Sequence, residues 1–399
     1  MAMTVRGGRY STVMKRGANL RLVLSAAAGL LVSAGAANAF SWDATKEQQA
    51  LQLVKEFQAR HKVPSVAVSI TVDGNIVFAT GIDADGSIRP EQQVRFRVGS
   101  LTKQFTAATI LALIEDKAIV PSSHTPFALD TPLSAMFPSV DPRSGEGKVT
   151  VQRLLTMTSN IPSYTEDPRV YKANTAGVAP ASESVEQQQI VRLLKTYRLA
   201  GRPQAFQYSN TNYFLLALMV QVLKNGYQPT SLPVTHNYMH ERILAKASME
   251  LSGFDDEPKP MGATDAAPHY LHPPLVNRGH WPQGAGDLIS TAADIARWNV
   301  ALMSGKIINE ASLRTMFTPA SPMAESGVYR GCRYAMGWYA CDAPQYRFFQ
   351  HDGVISGFMA SNVIGRQNSG SWMSATVMGN IDADRGISTL ARDLLRAGN

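Results

Sequence analysis

Ser100-Leu101-Thr102-Lys103 decides the reading of this chain. It is the only Ser-x-x-Lys in 399 residues, and it sits at a junction. Residues 94–98 (VRFRV) alternate like a strand entering a sheet, and residues 105–116 (FTAATILALIED) carry helical apolar spacing. The serine therefore opens a helix, where unpaired backbone N–H groups can hold a developing oxyanion. Lys103 returns to the same face one turn later. A hydroxyl is a weak nucleophile at its own pKa, and an amine at i+3 can take or polarise its proton. A serine here also serves as an ordinary N-cap, so the tetrapeptide needs company before it means catalysis.

Working outward, residues 47–60 (EQQALQLVKEFQAR) form an amphipathic helix, and 66–72 with 76–80 flank Asp73-Gly74-Asn75 as a hairpin. Residues 117–280 are rich in Pro, Ser, Thr and Asn, with helical stretches at 151–158, 185–197 and 212–224. From residue 284 mixed character returns. Thr291 to Asp294 is a capping box that opens a helix over 292–303. Residues 334–339, 346–351, 358–364 and 371–377 read as consecutive strands, and 387–396 as a closing helix. This implies an α+β fold: an antiparallel sheet flanked by helices, shared by residues 40–116 and 281–399, with a mostly helical second lobe over 117–280.

Residues 1–39 have the form of an export signal. Arg6, Arg9, Lys15, Arg16 and Arg21 precede an apolar run over 22–36, and Ala37-Asn38-Ala39 fits the small-x-small cleavage rule. Cleavage after Ala39 implies a secreted or periplasmic protein starting at Phe40, with no other run long enough to span a membrane. Removing those five basic residues leaves 33 basic against 31 acidic side chains, a net charge of +2 in place of +7. Nucleic-acid binding therefore gains no support. Cys332 and Cys341 lie nine apart. In an oxidising compartment they pair or remain two buried thiols; on one continuous strand they would be about 30 Å apart and unable to bond.

A serine with a lysine needs a proton relay, a second oxyanion donor and a polar platform. Tyr208-Ser209-Asn210, the only Tyr-x-Asn, directly precedes a helix. His351-Asp352-Gly353 ends a strand, where a glycine lets substrate approach the main chain. Lys224-Asn225-Gly226 also fits Lys-x-Gly, but it ends a helix only 16 residues past Tyr208 and is set aside. His269, His272 and His280 lie near Asp265 without metal-ligand spacing. No metal or cofactor is expected.

Ser-x-x-Lys, Tyr-x-Asn and Lys/His-x-Gly in that order resemble the serine β-lactamase and penicillin-binding-protein superfamily. The class C-type branch, with D,D-peptidases, D-aminopeptidases and esterases, is the nearest match. Residues 154–160 (LLTMTSN) resemble that family's Leu-Leu-x-His-Thr-Ser-Gly, with Met157 and Asn160 as departures. Residues 286–291 (GDLIST) resemble Gly-Gly-Leu-x-Ser-Thr, and 334–338 (YAMGW) resemble Tyr-Gly-x-Gly-Trp. The resemblance implies Ser100 as acylated nucleophile, Lys103 as its proton partner and Tyr208 as general base, its pKa lowered by Lys103 and His351. It further implies Asn210, His351, Asp352 and Gly353 as substrate-binding, with the Ser100 and Val354 backbone N–H groups as oxyanion hole. β-Lactamases carry Lys-Thr-Gly or Lys-Ser-Gly where this chain has His351-Asp352-Gly353. An Asp352 facing the cleft would repel a substrate carboxylate. If it faces away, it pairs with a neighbouring cation. The implied function is an exported serine hydrolase acting on an ester or amide, small molecule or peptide, of peptidoglycan-derived type. The alternatives are a true class C-type β-lactamase and a penicillin-recognising binding protein without turnover.

Overall fold

The computed structural model describes residues 40–398 apart from 84, 90–93, 168–195, 197, 200–204, 229–232, 255–256, 270–281, 325–326, 356 and 382–385. The expected leader, almost all of the expected helix 185–197, and His272 and His280 lie outside the described residues.

Helix α1 (Ala44–His61) starts at Asp43, whose carboxylate accepts the Lys46 N–H at 2.9 Å. Strands β1 (Ser65–Val72) and β2 (Asn75–Asp83) form the expected hairpin. Its turn is Asp73 (φ 46°) and Gly74 (φ 87°), two left-handed residues whose twist matches paired strands. β3 (Ile88–Arg89) follows at the sheet edge, then β4 (Val94–Arg97), a 3₁₀ turn over Gly99–Leu101, and α2 (Thr102–Glu115). The middle carries α3 (Leu133–Met136), α4 (Val151–Leu155), α5 (Asn210–Asn225) and α6 (Pro233–Met239). Then come β5 (Thr264–Asp265), β6 (Ile289–Ser290), α7 (Ala292–Met303) and α8 (Glu310–Phe317). The chain closes with β7 (Arg333–Tyr334), β8 (Tyr339–Asp342), β9 (Arg347–Ile355), β10 (Phe358–Arg366), β11 (Trp372–Gly379) and α9 (Ile387–Ala397).

The main sheet is antiparallel throughout, in the order β3-β2-β1-β11-β10-β9-β8-β7. The β1–β11 pairing, with Val68 opposite Val377, joins the first and last thirds of the chain in one sheet. Successive residues of one strand enter different cores. Val377 packs with Val68, Val363, Phe57 of α1 and Leu394 of α9. Met378 packs with Ala67, Ala360, Phe105 of α2 and Trp298 of α7. The sheet is thus covered on both faces, which explains why its strands read as continuous apolar runs rather than alternations. Helix α2 is enclosed on all sides, with residues 102–113 buried, and Phe105 stacks on Trp298 at 4.2 Å.

Two expectations are corrected. β4, the strand before Ser100, joins a separate three-stranded sheet between β5 and β6 and is absent from the main one. The run 334–339 is not one strand. It turns at Gly337 (φ 79°), pairing Arg333 with Ala340. That hairpin brings Cys332 and Cys341 to a Cα separation of 4.5 Å, and they form a disulfide. Among the described residues, no helix is long and apolar enough to cross a membrane.

Candidate active site

Ser100 sits in the 3₁₀ turn that links β4 to α2. Its Oγ lies 2.9 Å from Lys103 Nζ and 2.9 Å from the Tyr208 hydroxyl. Lys103 is fully buried, and its Nζ also reaches Asn210 Oδ1 and the Ala285 carbonyl, each at 2.7 Å. Desolvation holds this amine well below the usual lysine pKa, against an opposing pull from Asp287. A neutral amine has two N–H donors and one lone pair. Asn210 Oδ1 and Ala285 O are pure acceptors, so they take both protons. As an ammonium Lys103 donates to all three neighbours; once it is neutral its lone pair is left for the Ser100 hydroxyl, which then donates to it.

Tyr208 arrives from the segment before α5. That segment is clamped by the turn after α4. The Met157 carbonyl accepts the Gln207 N–H at 2.9 Å, and Met157 Sδ accepts the Ser209 N–H at 3.3 Å. The two departures from the family pattern fall here and have physical explanations. Asn160 stands at φ 62°, where glycine or asparagine is favoured. Met157 supplies a soft acceptor at the position of the family's histidine. Asn210 opens α5. Its Nδ2 donates to Thr165 Oγ1 at 3.1 Å, which fixes the amide with Oδ1 toward Lys103.

The opposite wall is β9. A Cβ on Gly353 would lie 1.8 Å from the Val98 carbonyl oxygen and 3.0 Å from the Ser100 nitrogen. A Cβ on Gly99 would lie 3.0 Å from the Val354 nitrogen. These two glycines let β9 run against the Ser100 turn, bringing the Ser100 and Val354 amides alongside each other. His351 points toward Tyr208, with ring centroids 6.0 Å apart. Its Nε2 meets the Tyr334 hydroxyl at 3.1 Å and its Nδ1 the Asp352 carbonyl at 2.7 Å. Burial and the Lys103 charge push its pKa down to about 3, so this imidazole is neutral.

One electrostatic expectation is corrected, and the orientation of Asp352, left open by the sequence, is decided against a substrate-binding role. Tyr208 is pushed up rather than down, because burial of the phenol outweighs any help from its neighbours. In the resting site it is a proton donor to Ser100 Oγ. Asp352 does not face the cleft. The pleat that turns His351 toward Tyr208 turns Asp352 to the other side. There its carboxylate accepts the Ser388 hydroxyl of α9 at 2.6 Å and Gln350 Nε2 at 3.4 Å. Burial raises its pKa, against hydrogen bonds with Ser388, Tyr329 and Ser361 and the nearby Arg392 charge. Asp265 pairs with Arg95 at 2.7 Å.

Sequence reasoning missed Tyr334, which holds His351, and Thr165, which orients Asn210. Tyr334 lies inside the segment 334–338 singled out by motif, but its role depends on a hairpin that alternation alone conceals. Gly337 of the same segment packs on α2, where a Cβ would lie 2.7 Å from the Lys103 carbonyl oxygen.

A buried lysine and a tyrosine converge on a helix-opening serine, beside the Val354 amide, as a candidate active-serine site on an α+β fold. Residues 50–396 match the Beta-lactamase family, and the chain belongs to it. A curated relative, the unguisins hydrolase ungD of Aspergillus violaceofuscus, is 25% identical over 341 residues, covering 75% of this chain and 55% of that protein. The chain spans between 55% and 65% of the length of the first curated relatives it matches. Among solved structures, the D-stereospecific amidohydrolase of a Streptomyces species superposes with a TM-score of 0.68 at 22% identity, covering 90% of this chain and 100% of that one. The D-amino acid amidase of Ochrobactrum anthropi SV3, complexed with L-phenylalanine amide, superposes with a TM-score of 0.66 at 20% identity, covering 88% and 97%. These likenesses share the β-lactamase/transpeptidase-like fold.

Proposed function

We propose that this chain is an exported serine hydrolase that acylates Ser100 and hydrolyses a neutral amide or ester, with a D-amino acid derivative as the substrate class. The observation that carries this is the approach of both Lys103 Nζ and the Tyr208 hydroxyl to Ser100 Oγ, each at 2.9 Å. As Oγ attacks the substrate carbonyl, its proton passes to the neutral Lys103. The oxyanion forms against the Ser100 and Val354 amides. Tyr208 protonates the leaving nitrogen or oxygen and recovers a proton from the Lys103 ammonium, whose Nζ lies 5.0 Å from the Tyr208 ring centroid. Water then attacks the acyl ester with the same two groups acting in reverse.

The preference for neutral substrates follows from the third motif. A neutral, buried His351 offers no cation to a substrate carboxylate, and Asp352 offers no hydroxyl. That disfavours β-lactams and C-terminal carboxylates relative to amides and esters. The amidohydrolase and amidase neighbours support D-amino acid amides. A fluorophosphonate probe and a substrate panel test the reading. Wild type is expected to label and Ser100→Ala to remain unlabelled. D-Phenylalanine amide and p-nitrophenyl esters are expected to outrun nitrocefin and D-Ala-D-Ala peptides. Equal labelling of Ser100→Ala, or efficient cephalosporin turnover, would overturn it.

A further inference from the structure

The family's Gly-Gly-Leu segment reads Gly286-Asp287-Leu288 in this chain, so a carboxylate stands where the pattern has a glycine. This carboxylate is mostly buried and belongs to the loop that faces Lys103. Four hydrogen bonds define that loop. The Gly284 carbonyl accepts the Thr106 hydroxyl at 2.7 Å, and the Ala285 carbonyl accepts Lys103 Nζ at 2.7 Å. The Leu288 N–H donates to Thr102 Oγ1 at 3.0 Å, and the Gly284 N–H donates to Asp287 Oδ1 at 3.0 Å. The second carboxylate oxygen, Oδ2, lies 2.8 Å from Nε2 of His236 on α6. His236 is itself buried and stacks flat on Phe254 at 4.0 Å.

We propose that Asp287, braced by His236, is a positioning residue for the lysine base. It holds the Ala285 carbonyl on Lys103 Nζ and supplies the buried negative charge that sets when that lysine gives up its proton. The inference rests on the acylation of Ser100 proposed above. Burial drives Lys103 toward the neutral form, and a nearby carboxylate draws it back. The balance decides the pH at which the base becomes available. These groups among the described residues face that balance. Asp287 meets His236 and the Gly284 amide. Lys103 meets Ser100, Asn210, the Ala285 carbonyl and the rings of Tyr208 and Tyr213, with His351 in electrostatic reach. Among the described residues, Asp287 is the carboxylate that acts on Lys103.

The two members of the pair have opposite expected effects, which separates a tuning role from mere structural damage. Asp287→Asn keeps the shape and the bond from Gly284 but removes the charge, so Lys103 loses its proton more readily. His236→Leu strips a hydrogen bond from the carboxylate and leaves its charge less compensated, so Lys103 holds its proton longer. The measurement is the rate of Ser100 phosphonylation by a fluorophosphonate across pH, on variants with native circular dichroism. The acid limb is expected to move down by about one pH unit in Asp287→Asn, and up in His236→Leu. An Asp287→Asn limb at the wild-type pH, or a His236→Leu limb that stays put or falls, overturns the proposal. If Asp287→Asn fails to fold, His236→Leu decides alone. A wild type that does not label at all overturns the acylation reading instead, so the two failures are distinguishable.

Discussion

At the scale of the residue, the site turns on which groups are charged. Burial drives Lys103 toward its neutral form and Tyr208 toward its protonated form, because it penalises the ion of each. Lys103→Arg replaces a base by a permanent cation and is expected to lower kcat by about 10²–10⁴-fold, measured on a p-nitrophenyl ester. Tyr208→Phe removes the proton donor and is expected to cost a similar factor, with a larger loss on amides, whose leaving group needs the proton more. Because the phenol is held well above its ordinary 10.0, kcat/KM is expected to show no descending limb below that pH. Ser100, Lys103 and Tyr208 were legible in the sequence, because their motifs are local. Their protonation states were not. A phenol near an amine suggests a lowered pKa, and only the depth of burial reverses that sign.

His351 carries a stability prediction at the same scale. Its folded pKa is depressed from 6.5 to about 3, so the unfolded chain binds a proton that the native site refuses. The stability associated with neutral His351 is fully present above pH 6.5 and is lost progressively as pH falls toward 3. The slope from this one group is about 1.4 kcal/mol per pH unit. Urea midpoints of wild type and His351→Gln should therefore diverge at neutral pH and converge as the solution is acidified over that window. Parallel midpoints would show that His351 does not titrate this way.

At the scale of the element, the close approach of β9 to the Ser100 turn is the most exacting feature. It was visible only as Gly353 in a three-residue motif, because a sequence does not say which backbone a strand will touch. Gly353→Ala puts a methyl group inside the Val98 carbonyl, backbone against backbone, so β9 must move off the Ser100 turn. The expected cost is about 1–3 kcal/mol in the denaturant midpoint. The Val354 amide should also be displaced, lowering kcat by about 10²-fold or more. Loss of stability with kcat unchanged would argue against Val354 as an oxyanion donor. The helices and strands were mostly legible from periodicity. The exceptions were β4, whose alternation did not reveal which sheet it joins, and the β7–β8 hairpin. The hairpin's turn at Gly337 is set by contact with α2, a tertiary cause that no local pattern carries.

At the scale of the whole molecule, the disulfide and the N-terminus bear on one question, the compartment. Cys332 and Cys341 close a short loop across β7 and β8, beside Tyr334, and disulfides persist in oxidising compartments. Phe40, the expected first residue after cleavage, is buried against Tyr346, and its backbone N–H donates to Ser371 Oγ at 3.3 Å. The next residue donates its N–H to the Gly398 carbonyl at 3.1 Å. Closing a loop of this size restricts the unfolded chain by about 2–3 kcal/mol. Reduction, or the double change Cys332→Ser with Cys341→Ser, is therefore expected to lower Tm by several degrees. It should also loosen His351 through Tyr334, raising KM more than it alters the rate of Ser100 labelling. Protein recovered from the periplasm or medium of an expressing bacterium should begin at Phe40 by N-terminal sequencing and show no free thiol on native alkylation. Protein retained in the cytosol should keep residues 1–39 and both thiols. An extracytoplasmic form with two free thiols would separate export from disulfide formation, and it would remove the hairpin lock as a determinant of substrate affinity.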